Sequence, residues 1–572
     1  MNSFGRAGAP PQNRTGAKRS GALPASSRDR GVAQSWRHVP TKVPSAARAA
    51  FALADAKMVR ALVGLLFVFR HGQRPPYPPP FARTWANATN AGWSTREFTD
   101  MTPEAWNMSE KAFNNQELTG HGALLLKHMG EHAARRAAPL STDLCKLPAL
   151  LAADIDARDV QSAQAFAAGF FPPQCRAARS AEIIIANGSH NLHAVTSDDA
   201  DSLCEPVHEE SGSEANAELM IGSTAALTDR YLRQIRKVSD ILGCCSPSLC
   251  KQYGKVGDGN CSIEELPYTY NGVYYKGLYD GPLQATSAFA QAWLLQVLSG
   301  FRPPAWGEVT DDDLQDLYMT HQRVMWLGSN VNRSVAAGSH LLGWLLASLE
   351  QLRDGSTQLV GAAQDAPPFV ALFAHDFNLL YLRRLLRVSW LTDSWPFDTA
   401  TTGSSISFEL HREEADGSYH VLGVLEAASI AQQSSASSFL PPNKPPGRSV
   451  FFDAPLDDFR SAVLSAIEPR CIGQPLRQTI LDLMQDDDPS AWWLITHSAE
   501  AIGIGVCVLI GGCLFGFLAG RAVRRHRSGL PLLSNKAISS SDQAFVLDPP
   551  PAPPGRANGA SQPETSDGGT AG

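Results

Sequence analysis

The run Ala61–Phe69 consists of nine apolar or small residues, and Arg70-His71-Gly72-Gln73-Arg74-Pro75 follows it without a break. A continuous apolar run of this length reads as a strand buried on both faces of a parallel sheet. Such a strand delivers its last residues to the carboxyl edge, where open α/β sheets place their sites. What arrives at that edge is one imidazole between two guanidiniums. Guanidiniums match phosphate oxygens in bidentate fashion, and a neutral imidazole nitrogen is a competent nucleophile. Far down the chain, the apolar run Phe369–Ala374 ends in His375-Asp376. Two strands that each end in a histidine beside a charged residue predict one site built from both.

Arg70-His71-Gly72, then Arg74 with Pro75-Pro76, together with the late His375-Asp376, resembles the histidine acid phosphatase family. The resemblance runs from about Met58 to Cys471. It includes Leu118-Thr119 with Gly122, the run Ser162–Phe166, Phe171-Pro172-Pro173, Ser405–Leu410 and Pro455–Phe459. It implies an α/β fold: a phosphoglycerate-mutase-like parallel-sheet core with an inserted, mainly helical cap. It also implies roles. His71 would attack phosphorus, and Arg70, Arg74 and His375 would bind the phosphoryl oxygens. Asp376 would protonate the leaving oxygen and then serve as base for water. The guanidiniums take the electrostatic role, so neither a metal nor a cofactor is expected. Homodimer formation is an implication of the family alone.

One departure bears on activity. The family carries a further phosphate-binding Arg in an Arg-Ser-Thr-like segment, six residues before a second Arg. Arg158 matches the second, Ala152 stands where the first is expected, and residues 147–157 contain no Arg. Loss of one such donor would cost roughly 3–4 kcal/mol of transition-state stabilisation, about a hundredfold or more in rate. Either the site is impaired or another cation, Arg158 itself, reaches in. Three function classes follow. The first is a membrane-anchored acid phosphatase acting on phosphomonoesters, with an acidic optimum set by protonated Asp376. The second is a catalytically impaired, phosphatase-like ectodomain that binds a phosphorylated ligand or partner. The third, a phosphoryl-moving isomerase, is disfavoured by Asp376, the apolar segment near the C-terminus and the cysteines.

That apolar segment, Ala501–Ala522, lacks a charge until Arg521 and is followed by Arg524, Arg525, His526 and Arg527. Its length and basic flank predict a single transmembrane helix whose C-terminal end is cytosolic. Eight of ten cysteines precede it (Cys145, Cys175, Cys204, Cys244, Cys245, Cys250, Cys261, Cys471), as do the sequons at Asn87, Asn107, Asn187, Asn260 and Asn332. An even cysteine number fits disulfides in an oxidising compartment. The competing reading, a metal site at Cys244-Cys245, Cys250 and Cys261, lacks paired C-x-x-C spacing. The expectation is a single-pass type I membrane protein with its catalytic domain lumenal (endosomal or lysosomal) or extracellular. A net charge of −7 and a pI near 6.1 argue against nucleic acid as a partner.

The layout expected is a disordered or leader-like arm over 1–57, a phosphatase domain over 58–475, a linker over 476–500, a transmembrane helix over 501–522 and a disordered tail over 523–572. Within the domain, the core takes about 58–175 and 365–475, and the cap about 176–364. The arm has only Asp29 and Asp55 as acids and shows no ordinary signal peptide, because the first apolar run after a basic region is the catalytic strand itself. This points to an unusual or misassigned N-terminus. Helices are expected over Leu118–Ala138, capped by Thr119, and over Ser162–Phe170, Ala336–Leu349 and Phe377–Leu386. Pro75–Pro80 and Ser429–Arg448 read as loops.

Overall fold

The computed structural model describes residues 60–186, 214–254, 259–301, 303–355, 367–392, 394–435 and 445–487. The N-terminal arm, the sequon at Asn187, the expected transmembrane helix and the tail all lie outside the described residues. Among the described residues, no helix is long and apolar enough to cross a membrane.

The first apolar run is strand β1 (Arg60–Arg70), fully buried from Gly64 onward. It lies inside a seven-stranded sheet of order β3-β2-β6-β1-β7-β8-β9. Strands β2 (Ala149–Ala153), β3 (Ile184–Ile185) and β6 (Phe369–Ala374) join β1 in a parallel half. Strands β7 (Ser405–Glu413), β8 (Tyr419–Ala427) and β9 (Gly447–Pro455) form an antiparallel half, and β7 runs antiparallel to β1. The expected all-parallel sheet is therefore mixed. The cause is local: Asp416-Gly417 closes a tight connection between β7 and β8, with Gly417 at φ +75° and the Glu413 amide donating to the Ser418 carbonyl. A two-stranded ribbon, β4 (Thr269–Tyr270) with β5 (Tyr279–Asp280), lies in the insertion.

Successive β1 side chains feed two cores. Leu65, Phe67 and Phe69 pack with helices α1 (Gly120–Ala137) and α2 (Ala157–Phe170). Leu66 and Val68 belong to the core on the other face, shared with the insertion helices α3 (Pro282–Leu298) and α4 (Asp311–Gly328) and with α5 (Val331–Asp354) and α6 (Asp376–Leu385). The four helices expected within the phosphatase domain are present. Thr119 caps α1 through its hydroxyl, which accepts from the Gly122 amide at 2.9 Å. The apolar run over Ala336–Leu349 is the buried centre of α5.

The insertion is mainly helical, but the sheet extends past 175 into β3, and α5 packs on β1 rather than standing outside the core. Cysteine pairing is disulfide, not metal: Cys145–Cys175, Cys244–Cys245 and Cys250–Cys261. The expected surface loop Ser429–Arg448 starts instead with a short helix, Ile430–Ser434, whose Gln433 is fully buried.

Candidate active site

Arg70 pairs with Ala374 across β1 and β6, so the two strands end side by side. The His71 amide donates to the Ala374 carbonyl, the Gly403 amide donates to the His71 carbonyl, and the Gly72 amide donates to Ser162 Oγ on α2 at 3.1 Å. Gly72 is required by close approach. A Cβ there would lie 2.7 Å from Leu118 and Leu126 and 2.8 Å from the Gly122 carbonyl. Gln73 is held from two directions: its carbonyl accepts from the amide and hydroxyl of Thr119, and its side-chain amide donates to Gln433. The catalytic loop is thus clamped between the start of α1, the side of α2 and the segment after β8.

His71 is 3% exposed. Its Nδ1 lies 2.8 Å from the Gly72 carbonyl, which can only accept, so Nδ1 carries the proton and the Nε2 lone pair is left for the cleft. Burial, then Arg158, Arg70, His375 and Arg74, hold its pKa well below the ordinary imidazole value. The ring is neutral and nucleophilic at any pH near neutrality.

Three guanidiniums converge on it. Arg70 donates to the Ala400 carbonyl at 2.6 Å and pairs with Asp376 at 2.8 Å. Arg74 lies 4.0 Å over the Tyr77 ring and donates to the Pro75 carbonyl. Burial brings its pKa down to about 10, with Arg158 and Arg70 acting in the same direction and Tyr77 opposing, so it stays charged. Arg158 enters from the first turn of α2, pairs with Asp156 at 2.5 Å and places an N–H 3.4 Å from His375 Nδ1. Ala152, by contrast, is a fully buried residue in the middle of β2, paired with Leu372 and Ile184. The count that assigned a missing guanidinium to position 152 is corrected by the fold. The third arginine at the cleft is Arg158, and residue 152 faces the core.

His375 caps α6, and its ring centroid lies 5.8 Å from that of His71. Its Nε2 donates to Asp154 at 2.9 Å, with Asp159 at 3.8 Å and Asp156 at 3.9 Å. Asp159 is completely buried, and burial raises its pKa to about 7 against the opposing pull of His375 and Arg158. Burial opposes charge on Asp376 too, yet Arg70, His321, His375 and Arg74 together leave its pKa below the ordinary value. Asp156, Asp159 and His375 each offer a ligand atom within 4.8 Å of the others, the spacing a metal needs. The Arg158 guanidinium approaches the same carboxylates, 2.5 Å from Asp156 and 3.8 Å from Asp159.

All six residues expected from the sequence (Arg70, His71, Arg74, Arg158, His375 and Asp376) meet around one cleft of about 610 Å³, with Arg70 reaching it through its ion pair to Asp376. The insertion adds groups that no sequence signal identified. His321 on α4 faces Asp376, Arg70 and Arg74, and burial lowers its pKa to about 3. Tyr318, one helical turn earlier, partners Arg70, and burial raises its pKa to about 12. Asp154 and Asp156 did carry a signal. They follow the short apolar run of β2, the same pattern of strand ending in charge that marked His71 and His375.

The sequence profile of the histidine phosphatase superfamily (branch 2) matches residues 61–424. The chain belongs to that superfamily. Phytase AppA of Escherichia coli (strain K12) is 24% identical over 413 residues, covering 71% of this chain and 89% of that one. Among solved structures, Klebsiella sp ASR1 phytase superposes with a TM-score of 0.57 at 18% identity, covering 73% of this chain and 97% of its own. Hafnia alvei phytase in complex with myo-inositol hexakis sulphate gives a TM-score of 0.56 at 19% identity, covering 72% and 99%. These likenesses establish the fold. Membership of the superfamily suggests phosphomonoester hydrolysis.

Proposed function

We propose that the chain is a membrane-anchored acid phosphatase that hydrolyses phosphomonoesters through a phosphohistidine. The observation that carries this reading is the His71 tautomer. With Nδ1–H fixed on the Gly72 carbonyl, the only free lone pair is Nε2, and three guanidiniums surround it. Nε2 would attack phosphorus as the ester oxygen leaves. Arg70, Arg74 and Arg158 would hold the equatorial oxygens, with His375 beside them and its Nε2 proton committed to Asp154. Asp376 would give a proton to the leaving oxygen and take one from the water that cleaves the phosphohistidine. Anchoring rests on Ala501–Ala522 and its basic flank. A lumenal or extracellular catalytic domain is supported by the disulfides and by the exposure of the sequon residues Asn87, Asn107, Asn260 and Asn332. With Arg158 at the cleft, no observation favours an impaired binding protein.

The test is hydrolysis of p-nitrophenyl phosphate by the full chain in detergent, with acid and alkaline quenches to trap the phosphoenzyme. The expected result is turnover in acid, an acid-labile and alkali-stable phosphoenzyme, and a loss of about a thousandfold or more in His71→Ala. Turnover that survives His71→Ala would overturn the proposal.

A further inference from the structure

The cleft walls differ in character from its floor. The floor is cationic through Arg74 and Arg158, which stand beside His71, His375 and Asp376. Among the described residues that line the rest, Lys276 is the sole lysine or arginine, and its ammonium lies 3.9 Å from the Asp280 carboxylate. The remaining wall is mostly ring and hydrocarbon; its uncharged polar side chains are Gln284, Ser287 and Gln291, the last two hydrogen-bonded to His321. Tyr77, Pro78, Pro79, Pro80 and Phe81 form one side, and Tyr274 and Tyr275 face the cleft from the insertion. Three of these rings are left open to solvent: Tyr77 at 44%, Phe81 at 55% and Tyr275 at 58% exposure. Large exposed aromatics gathered at one cleft mark a surface that gains by being covered. Tyr77 is also pinned, because the Arg74 guanidinium stacks on its face.

From this lining we infer that the site selects a monoester with a single phosphate and a flat aromatic leaving group, and discriminates against polyphosphorylated leaving groups. The inference rests on the phosphatase reading for its chemistry and on the wall for its selectivity. Each further phosphate on a leaving group must lose water on entering the cleft. It recovers that cost only from a cation or a set of donors aimed at it. Among the described residues the wall supplies one ammonium, which has a carboxylate partner, and three uncharged polar side chains, two of them engaged with His321. An aromatic ring loses little on leaving water, and ring-to-ring contact adds about 0.5–1.5 kcal/mol for each partner beyond simple burial. The walls thus favour a ring where the floor favours a phosphoryl group.

Leaving-group acidity alters turnover independently of the pocket, so binding is the better readout. The experiment is calorimetric titration of the full chain in detergent with inorganic phosphate, methylphosphonate, phenylphosphonate and inositol hexakis sulphate. Phenylphosphonate is expected to bind about tenfold or more tighter than methylphosphonate, and inositol hexakis sulphate no tighter than inorganic phosphate. Tyr275→Ala and Phe81→Ala are each expected to weaken phenylphosphonate by roughly two- to tenfold, the range set by one ring contact, while methylphosphonate is unmoved. Equal affinity for the two phosphonates, or tightest binding of the hexasulphate, would overturn the inference. Titration reports on the wall even in a chain that turns over no ester, so failure of this inference and failure of the phosphatase reading are distinct results.

Discussion

Asp376 lies against Arg70 and carries its negative charge in the free protein, because the surrounding cations outweigh burial. An acid catalyst that starts ionised must obtain its proton from elsewhere. A phosphomonoester supplies one: its second pKa is about 6, and the monoanion with ionised Asp376 has the same proton count as the dianion with protonated Asp376. kcat/KM is therefore expected to fall about tenfold per pH unit above the second pKa of the ester. With two aryl esters of different second pKa, that alkaline limb should move with the substrate; a limb fixed at one pH for both would place the proton on the enzyme. Asp159 titrates in the opposite sense. Its folded pKa of about 7 lies above the unfolded carboxyl value, so the folded state keeps a proton that the unfolded chain releases. Stability is then lost as pH rises between about 4 and 7, by up to a few kcal/mol. The groups around it (His375, Arg158, Asp154 and Asp156) are unchanged in Asp159→Asn. The Tm advantage of that variant should be near zero at about pH 4 and grow to a few degrees by about pH 7.5. A pH-independent difference would mean that Asp159 is not the titrating group. At this scale the sequence showed what strand ends carry, since a run of apolar residues announces its own terminus. It offered Arg158 only as one of two alternatives, because counting along the chain ignores that a helix start projects side chains back over the preceding strand edge. Tyr318 and His321 were illegible for another reason: on an amphipathic helix they look like ordinary core residues.

Helices α1 and α2 cross at two glycines, and their contact fixes both ends of the site. A Cβ on Gly169 would lie 1.8 Å from the Lys127 carbonyl oxygen, and one on Gly130 would lie 2.2 Å from the Phe166 carbonyl oxygen. Both obstacles are backbone, so no rotamer change relieves them, and the helices must part. Gly169→Ala is expected to cost about 1–3 kcal/mol. It should also weaken phosphate binding, because α2 carries Arg158 and Ser162 while α1 holds the Gln73 loop through Thr119. Gly120→Ala is the control. Nothing lies within 4 Å of that Cβ, and a helical Gly-to-Ala change is neutral or stabilising by up to about 1 kcal/mol. Thermal unfolding and calorimetric phosphate affinity check both; equal behaviour of the two variants would refute the close-packing account. The helices themselves were readable from Thr119 and from Phe171-Pro172-Pro173, but their crossing was not. Glycines inside a helix signal close approach without naming the partner. The antiparallel half of the sheet was likewise hidden, because a buried run does not state its direction. The Asp416-Gly417 turn did.

On the scale of the whole molecule, the described residues end at Asp487, and the sheet, the insertion and every site residue precede that point. Every residue proposed for the site lies before Ala501–Ala522, the segment on which the proposed anchoring rests. Three observations bear on which side of a membrane the site would occupy. The disulfides Cys145–Cys175 and Cys250–Cys261 need an oxidising compartment. Asn87, Asn107, Asn260 and Asn332 are exposed, as glycan acceptors must be. The cluster of arginines after the apolar segment fits a cytosolic flank. Expressed in eukaryotic cells, the full chain should pellet with membranes, resist extraction by alkaline carbonate and lose apparent mass on endoglycosidase treatment. A chain truncated after Asp487 should keep the glycan shift and the p-nitrophenyl phosphatase activity but appear in the soluble or secreted fraction. Full-length protein that stays soluble and unglycosylated would refute the anchored, lumenal reading while leaving the chemistry of the site untouched. The fold puts the two on separate parts of the chain, so they stand or fall independently.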